Sequence, residues 1–327
     1  MHRILCLLWL TFSAVALMAS DSVVVNCDAG QSLNKAISLL NKEGPATVLV
    51  KGMCTEYVDI TGFENLTVQG LPGSTLVQPA TIPTKPFISL LSIRASRSVL
   101  IKGFSFQSTS SSPPAIGIGG GSTNVRLRNL NIDGGSVGII AIESSQVSIA
   151  GVTVRNAGWA CVLAADESQL HVEDCLLDES SGTGWHEGIG SEASHVIVRR
   201  TTKRNMQVGL GANFGGEIGV IDCSAYYPAG GVTDVVIDNP AGTNFNGASI
   251  DGGASLLIST AKLRILNAGQ TGGGNTGGRH LFDGQLPCNP GRFQHHGQPA
   301  RRSRGGELVH YFHGDVGSSC RGQRQCG

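Results

Sequence analysis

The sequence is sparing with what most compact enzymes rely on. Aromatic residues make up 5% and charged residues 15% of its 327 positions, and acids and bases cancel at 24 each. Without many rings there is no central aromatic cluster, so a core must be assembled from Val, Ile and Leu. No Gly-rich phosphate loop, no dinucleotide fingerprint and no basic strip interleaved with aromatics occurs, which argues against nucleotide chemistry and against nucleic acid as a partner. Cys and His lack the close spacing of a zinc site. Glycine, at 46 residues, is abundant, and it supplies turns.

What fills the chain is a repeated phrase. Residues 146–154 read Gln-Val-Ser-Ile-Ala-Gly-Val-Thr-Val, and copies aligned on it begin at Asn65, Ser98, Asn124, Gln146, Gln169, His195, Glu217, Asp234 and Ser255. The second and fourth positions of every copy are Leu, Ile or Val, from Leu66 and Val68 to Leu256 and Ile258. Alternation of period two marks strands. From Val99 to Leu256 the pattern takes seven steps over 157 residues (256 minus 99), which is about 22 per step and suits one coil of a parallel β-solenoid. A strand plus a crossover helix needs more. Most copies end on a turn residue such as Gly103, Asn129, Gly151 or Asp174, while Arg200 and Thr260 break that rule. A second apolar pair (Leu130 and Ile132, Val152 and Val154) and a short strand before the next copy (residues 139–142, 161–164, 208–212) give three strands per coil.

The run Gly-Ile-Ile-Ala-Ile-Glu-Ser-Ser-Gln-Val-Ser-Ile-Ala-Gly-Val-Thr-Val at 138–154 resembles a coil of the right-handed parallel β-helix proteins, the superfamily of pectate lyases, polygalacturonases and pectin methylesterases. The likeness covers residues 23–267. It implies an all-β right-handed parallel β-helix, a fold that hosts many functions.

The chain order fits an exported solenoid. His2 and Arg3 precede an apolar run over residues 4–18 and a small-residue site at Leu17-Met18-Ala19, which reads as a signal peptide over 1–20 and predicts a secreted, periplasmic or cell-surface protein without a stable membrane span. Residues 31–41 place Leu33, Ala36, Ile37 and Leu40 on one helical face, closed by Gly44-Pro45, and this amphipathic helix is expected to cap the first coil. Cys27 and Cys54 end the flanking strands. In an oxidising compartment a bridge between them closes a loop of about 27 residues and contributes about 3 kcal/mol; two free thiols are the alternative. Gly52-Met53-Cys54-Thr55-Glu56 is similar to the opening coils of secreted β-helix proteins, where the glutamate is structural.

Chemistry has one obvious address, the corner after the second apolar pair, the side that usually carries the substrate groove in this superfamily. Successive coils bring there Asp133; Arg155, Asn156 and Trp159; Asp178, Glu179, Trp185, His186 and Glu187; Lys203, Arg204 and Asn205; then Tyr226 and Tyr227. Coils about 4.8 Å apart match the rise of roughly one sugar, so Asp133, Asn156, Trp159, Trp185, Lys203, Arg204, Tyr226 and Tyr227 are candidates for contacting a polysaccharide. The densest loop, residues 178–187, allows two catalytic schemes. Asp178 and Glu187 can serve as acid and base in glycoside hydrolysis. Alternatively Asp178 and Glu179 hold Ca²⁺ while Arg155, His186, Lys203 or Arg204 takes the proton beside a uronate carboxylate.

The catalytic signatures of those relatives are nevertheless missing. A polygalacturonase-like Asp-Asp pair is absent, only Asn131-Ile132-Asp133 and Arg264-Ile265-Leu266 approach the other motifs, and the Asp-His and arginine-proline signatures of pectate lyases do not occur. Binding an extracellular polysaccharide, or a structural surface role, therefore ranks above lyase or hydrolase activity. Residues 271–327 form a region of different character, with 7 Arg, no Lys and 3 acids (7 minus 3, net +4) and 5 of the 9 His. They are expected to be a low-order basic tail that leaves the last coil of the 21–270 solenoid without a cap and prone to pair with another copy along its edge.

Overall fold

The computed structural model describes residues 21–82, 89–109, 113–179, 186–221, 234–238, 246–250, 252–259, 262–266 and 291–294. These trace an all-β, right-handed parallel solenoid of three sheets. The leading sheet carries the repeated phrase: Gln146–Ala150 lies between Val125–Arg128 and Gln169–Glu173, with Val147 paired to Val125 and Leu170, and Ile149 to Leu127 and Val172. The second sheet stacks Ser105–Gln107, Asn131–Asp133, Thr153–Arg155, Leu176–Asp178 and Thr202–Arg204. The third stacks Ile116–Gly119, Val137–Ala141, Ala160–Ala164, Glu187–Glu192 and Val208–Asn213.

Each coil turns inward the residues that the alternation assigns to the core, so one column of buried aliphatics runs the length of the molecule. One copy belongs elsewhere. Asp234–Asp238 pairs with Thr202–Arg204 and Lys262–Leu266 in the second sheet, not the leading one. The steps from Val99 to Leu256 therefore number six, about 26 residues each (157 divided by 6). The last, from Ile218 to Leu256, is the longest at 38 residues (256 minus 218).

Two kinds of corner hold the coil shape. Between leading and second sheets the turn residue is left-handed at Gly103, Asn129, Gly151, Asp174 and also Arg200, whose φ is 39°. Arg200 sits there pinned: its Nε and Nη2 donate to the Asp174 carboxylate at 2.6 and 2.8 Å, and it also bonds Glu173. Those bonds offset a conformation that disfavours a side chain. Between third and leading sheets runs a column of buried serines. The Phe63, Ser96, Ser145 and Ser168 amides donate to the hydroxyls of Ser96, Ser122, Ser168 and Ser194, each one coil further on.

The capping helix is Leu33–Ser38, shorter than the amphipathic stretch, because the Ser38 hydroxyl donates back to the Lys35 carbonyl and Leu39 stands exposed. It buries Leu33 and Ile37. Glu56 holds its start, accepting from the Ser32 hydroxyl and from the Leu33 and Asn34 amides at 2.6, 2.7 and 3.2 Å, so this glutamate is indeed structural. Cys27 and Cys54 are joined in a disulfide beside it. The signal-peptide region and, apart from 291–294, the tail lie outside the described residues. Gly291–Gln294 runs antiparallel along Ser255–Ser259 and covers the free side of the leading sheet's last strand.

Candidate functional site

The corner between second and third sheets divides the sequence candidates into an outward set and an inward set. Asp133, Arg155, Asp178 and Arg204 occupy the same outward position of four successive strands, paired rung to rung, and Asp238 continues the register. Acid and base thus alternate along the solenoid axis at about 4.8 Å per rung. Asp133, Arg155 and Arg204 are exposed and Asp178 partly so. Neighbouring acids and bases do not pair here. Asn156 and Asn205, both left-handed, instead donate to the aspartate of the preceding coil: Asn156 Nδ2 to Asp133 Oδ1 at 2.6 Å, and Asn205 Nδ2 to Asp178 Oδ1 at 2.7 Å. With each carboxylate engaged by an amide, Arg155 and Arg204 make no ion pair among the described residues. Trp159 lies further round the same corner with 38% of its surface exposed.

The inward set is a surprise of placement. Lys203 pairs in register with Leu177 and Ile237, so it stands in the aliphatic column of the second sheet, fully buried, with no hydrogen-bond partner for Nζ among the described residues. Burial lowers its amine to about 7. A Cβ on Gly188 would come within 3.0 Å of Lys203 Cδ and 2.4 Å of Met206 Sδ, so that glycine makes the room. The substrate-contact role expected of Lys203 is corrected accordingly: one step of the strand puts it inside while Arg204 faces out.

Glu179 is likewise inside. One oxygen accepts from the Ala157 amide at 3.0 Å and from the Cys161 thiol at 2.9 Å, and the other lies 3.9 Å from His186 Nδ1. Burial raises the Glu179 carboxyl to about 7 and the Cys161 thiol well above its usual range, while it lowers the His186 imidazole. The 3.9 Å contact is therefore one of neutral or half-ionised groups at neutral pH, not a firm ion pair. Because Asp178 faces out and Glu179 in, the two do not converge on a point, and the Ca²⁺ site expected from them does not fit. The one group of three potential ligands close enough to share an ion among the described residues is Cys27, Cys54 and Glu56, where the two sulfurs are already bonded to each other.

Glu187 goes to a third place. It pairs with Ala160, whose apolar contacts are with Val137 and Leu163 outside the main core, and its two oxygens lie where Cβ atoms of Gly190 and Gly211 would be, at 2.6 and 1.5 Å. Both positions must be glycine for this carboxylate to lie there. Burial raises Glu187 to about 7, with Glu192 adding to the effect. Asp178, on the outer side of the second sheet, and Glu187, on that of the third, are thus separated by a corner. Trp185, Tyr226 and Tyr227 lie outside the described residues.

Residues 89–225 match the family described as right handed beta helix region. No curated protein sequence matches the chain. Among solved structures, a pectate lyase variant from Xanthomonas campestris aligns with 80% of this chain and 84% of its own at 12% identity and a TM-score of 0.49. The surface protein and adhesin PfbA of Streptococcus pneumoniae aligns with 68% and 82% at 13% identity and 0.35. An endo-xylogalacturonan hydrolase from Aspergillus tubingensis aligns with 78% and 99% at 14% identity and 0.27. On the rung-by-rung register, the chain folds as a right-handed parallel β-helix.

Proposed function

We propose that the protein is an exported binder of extracellular polysaccharide, with the ligand lying along the solenoid axis across the outer corner of the second sheet. The observation that carries this reading is the exposed, in-register column Asp133, Arg155, Asp178 and Arg204, braced by Asn156 and Asn205. One polar group per coil on a rigid sheet presents a linear polymer with a fixed set of partners and little entropy to lose. The disulfide supports export, since such bonds persist in oxidising compartments. No helix among the described residues is long and apolar enough to cross a membrane.

Catalysis is the second reading, and one observation favours it. Glu187, raised to about 7 by burial, is still partly protonated at neutral pH, which suits general-acid work. Against it stands the burial of Glu179, His186, Glu187 and Lys203 together. The two readings separate in one experiment: the full chain is run through native gels containing acidic or neutral polysaccharides, and the same polymers are assayed for new reducing ends or unsaturated products. Retardation without turnover is expected. Turnover abolished by Glu187→Gln would replace binding with hydrolysis, and no retardation by any polymer would end the binding proposal.

A further inference from the structure

We infer that the corner column selects an acidic polysaccharide whose charge falls on alternate sugars, not on every sugar. The inference rests on the binding reading above and deepens it. Its basis is the period of the column. Rungs repeat at about 4.8 Å, but like charges repeat only every second rung, so Arg155 and Arg204 stand about 9.6 Å apart with Asp178 between them. That spacing is the length of roughly two pyranose rings laid end to end along the axis.

The neighbouring outward position carries Asn131, Thr153, Leu176 and Thr202 on the same four rungs. Each arginine is therefore flanked by a hydroxyl, and the Asp178 rung between them by the aliphatic Leu176. A guanidinium takes a carboxylate or sulfate through two parallel hydrogen bonds, and among the described residues neither arginine is held in an ion pair, because Asn156 and Asn205 occupy the aspartates.

Specificity comes from the rung that repels as much as from the rung that attracts. A polymer anionic at every ring would set a carboxylate against Asp178, where like charges repel and desolvation adds to the cost. A polymer with a neutral sugar there can instead donate its hydroxyls to the Asp178 carboxylate and rest its ring face on Leu176.

The test measures binding of the full chain by titration calorimetry at fixed salt to hyaluronate, which carries a carboxylate on alternate sugars, to polygalacturonate, which carries one on every sugar, and to neutral dextran. Hyaluronate should bind about tenfold or more tighter per repeat than polygalacturonate, and Arg155→Gln and Arg204→Gln should each weaken it about tenfold while thermal stability stays unchanged. Arg155→Lys should lose most of the same affinity, because the fork and not the charge alone is used. Asp178→Asn, which keeps an acceptor for Asn205, should narrow the gap by strengthening polygalacturonate. Equal or tighter binding of polygalacturonate, or hyaluronate binding indifferent to both arginines, overturns the inference and leaves glycan binding standing. So does binding of dextran alone. No binding of any of the three overturns both.

Discussion

In the second sheet the inward position runs Leu76, Phe106, Ile132, Val154 and Leu177 and then, one rung on, Lys203. The early coils are filled with hydrocarbon, whereas the described residues between Arg155 and Asn213 bury two carboxyls, an imidazole, an amine and two thiols. A solenoid tolerates this because its stability is close to a sum over coils and their interfaces, so aliphatic coils can carry less stable neighbours. The backbone pattern thus says where a side chain points, but not whether that place suits it.

The largest effect should come from moving the anomaly. Ile132→Lys puts an unpartnered amine into an aliphatic rung, and by the size of the Lys203 shift it should lower the free energy of unfolding by roughly 5 kcal/mol, read from denaturant midpoints at pH 6. A change under 1 kcal/mol would show that the early coils are as permissive as the later ones.

The reciprocal change comes next. Lys203→Met should stabilise by about 3 kcal/mol at pH 6. The amine's pKa is lowered on folding, from 10.5 to about 7, so the unfolded chain binds the extra proton between those values. The gain should therefore be full below pH 7 and fade as the pH rises towards 10.5. A gain independent of pH would point to packing, not charge.

Glu187→Gln runs the opposite way. This carboxyl is raised on folding from 4.5 to about 7, so it adds nothing adverse below pH 4.5 and costs stability as the pH climbs through 7. The glutamine variant should match the wild type at pH 4.5 and exceed it by about 3 kcal/mol at pH 8. Equal stability at both values would mean that the carboxylate is better solvated than its burial implies.

The smallest effect should be the same in both regions. Ser122→Ala and Ser168→Ala each strand one buried amide, that of Ser96 or of Ser145, and each should cost about 1–2 kcal/mol. Costs differing by more than the measurement error would show that the two regions differ at their corners as well as in their interiors.

The sequence made the architecture readable because a parallel sheet repeats its inward positions coil after coil, and Val, Ile and Leu fill nearly all of them. Asp234–Asp238 misled because strands of the leading and second sheets alternate identically. The interval was the available clue, since Glu217 to Asp234 is only 17 residues (234 minus 217), short of a coil. The serine column was also readable: Ser96, Ser122, Ser145, Ser168 and Ser194 each precede a copy, but a serine beside a turn looks like solvent chemistry until its hydroxyl is seen to serve the coil before it. The outward charges Asp133, Arg155, Asp178 and Arg204 follow from the strand phase alone. Lys203 could have been removed from that set by the same phase, since it aligns with Val154 and Leu177. Glu187 could not, because its burial depends on Gly190 and Gly211 meeting it from its own and a neighbouring strand.

Hydrogen exchange of the full chain, free and saturated with hyaluronate, tests most directly where the ligand lies. Slowing should concentrate in peptides spanning residues 153–159 and 202–207, the outer corner of the second sheet, while peptides over Val125–Arg128 and Gln146–Ala150 of the leading sheet stay unchanged. Slowing confined to the leading sheet, or to Glu187–Glu192 and Val208–Asn213 of the third, would contradict the account and move the binding surface to another face.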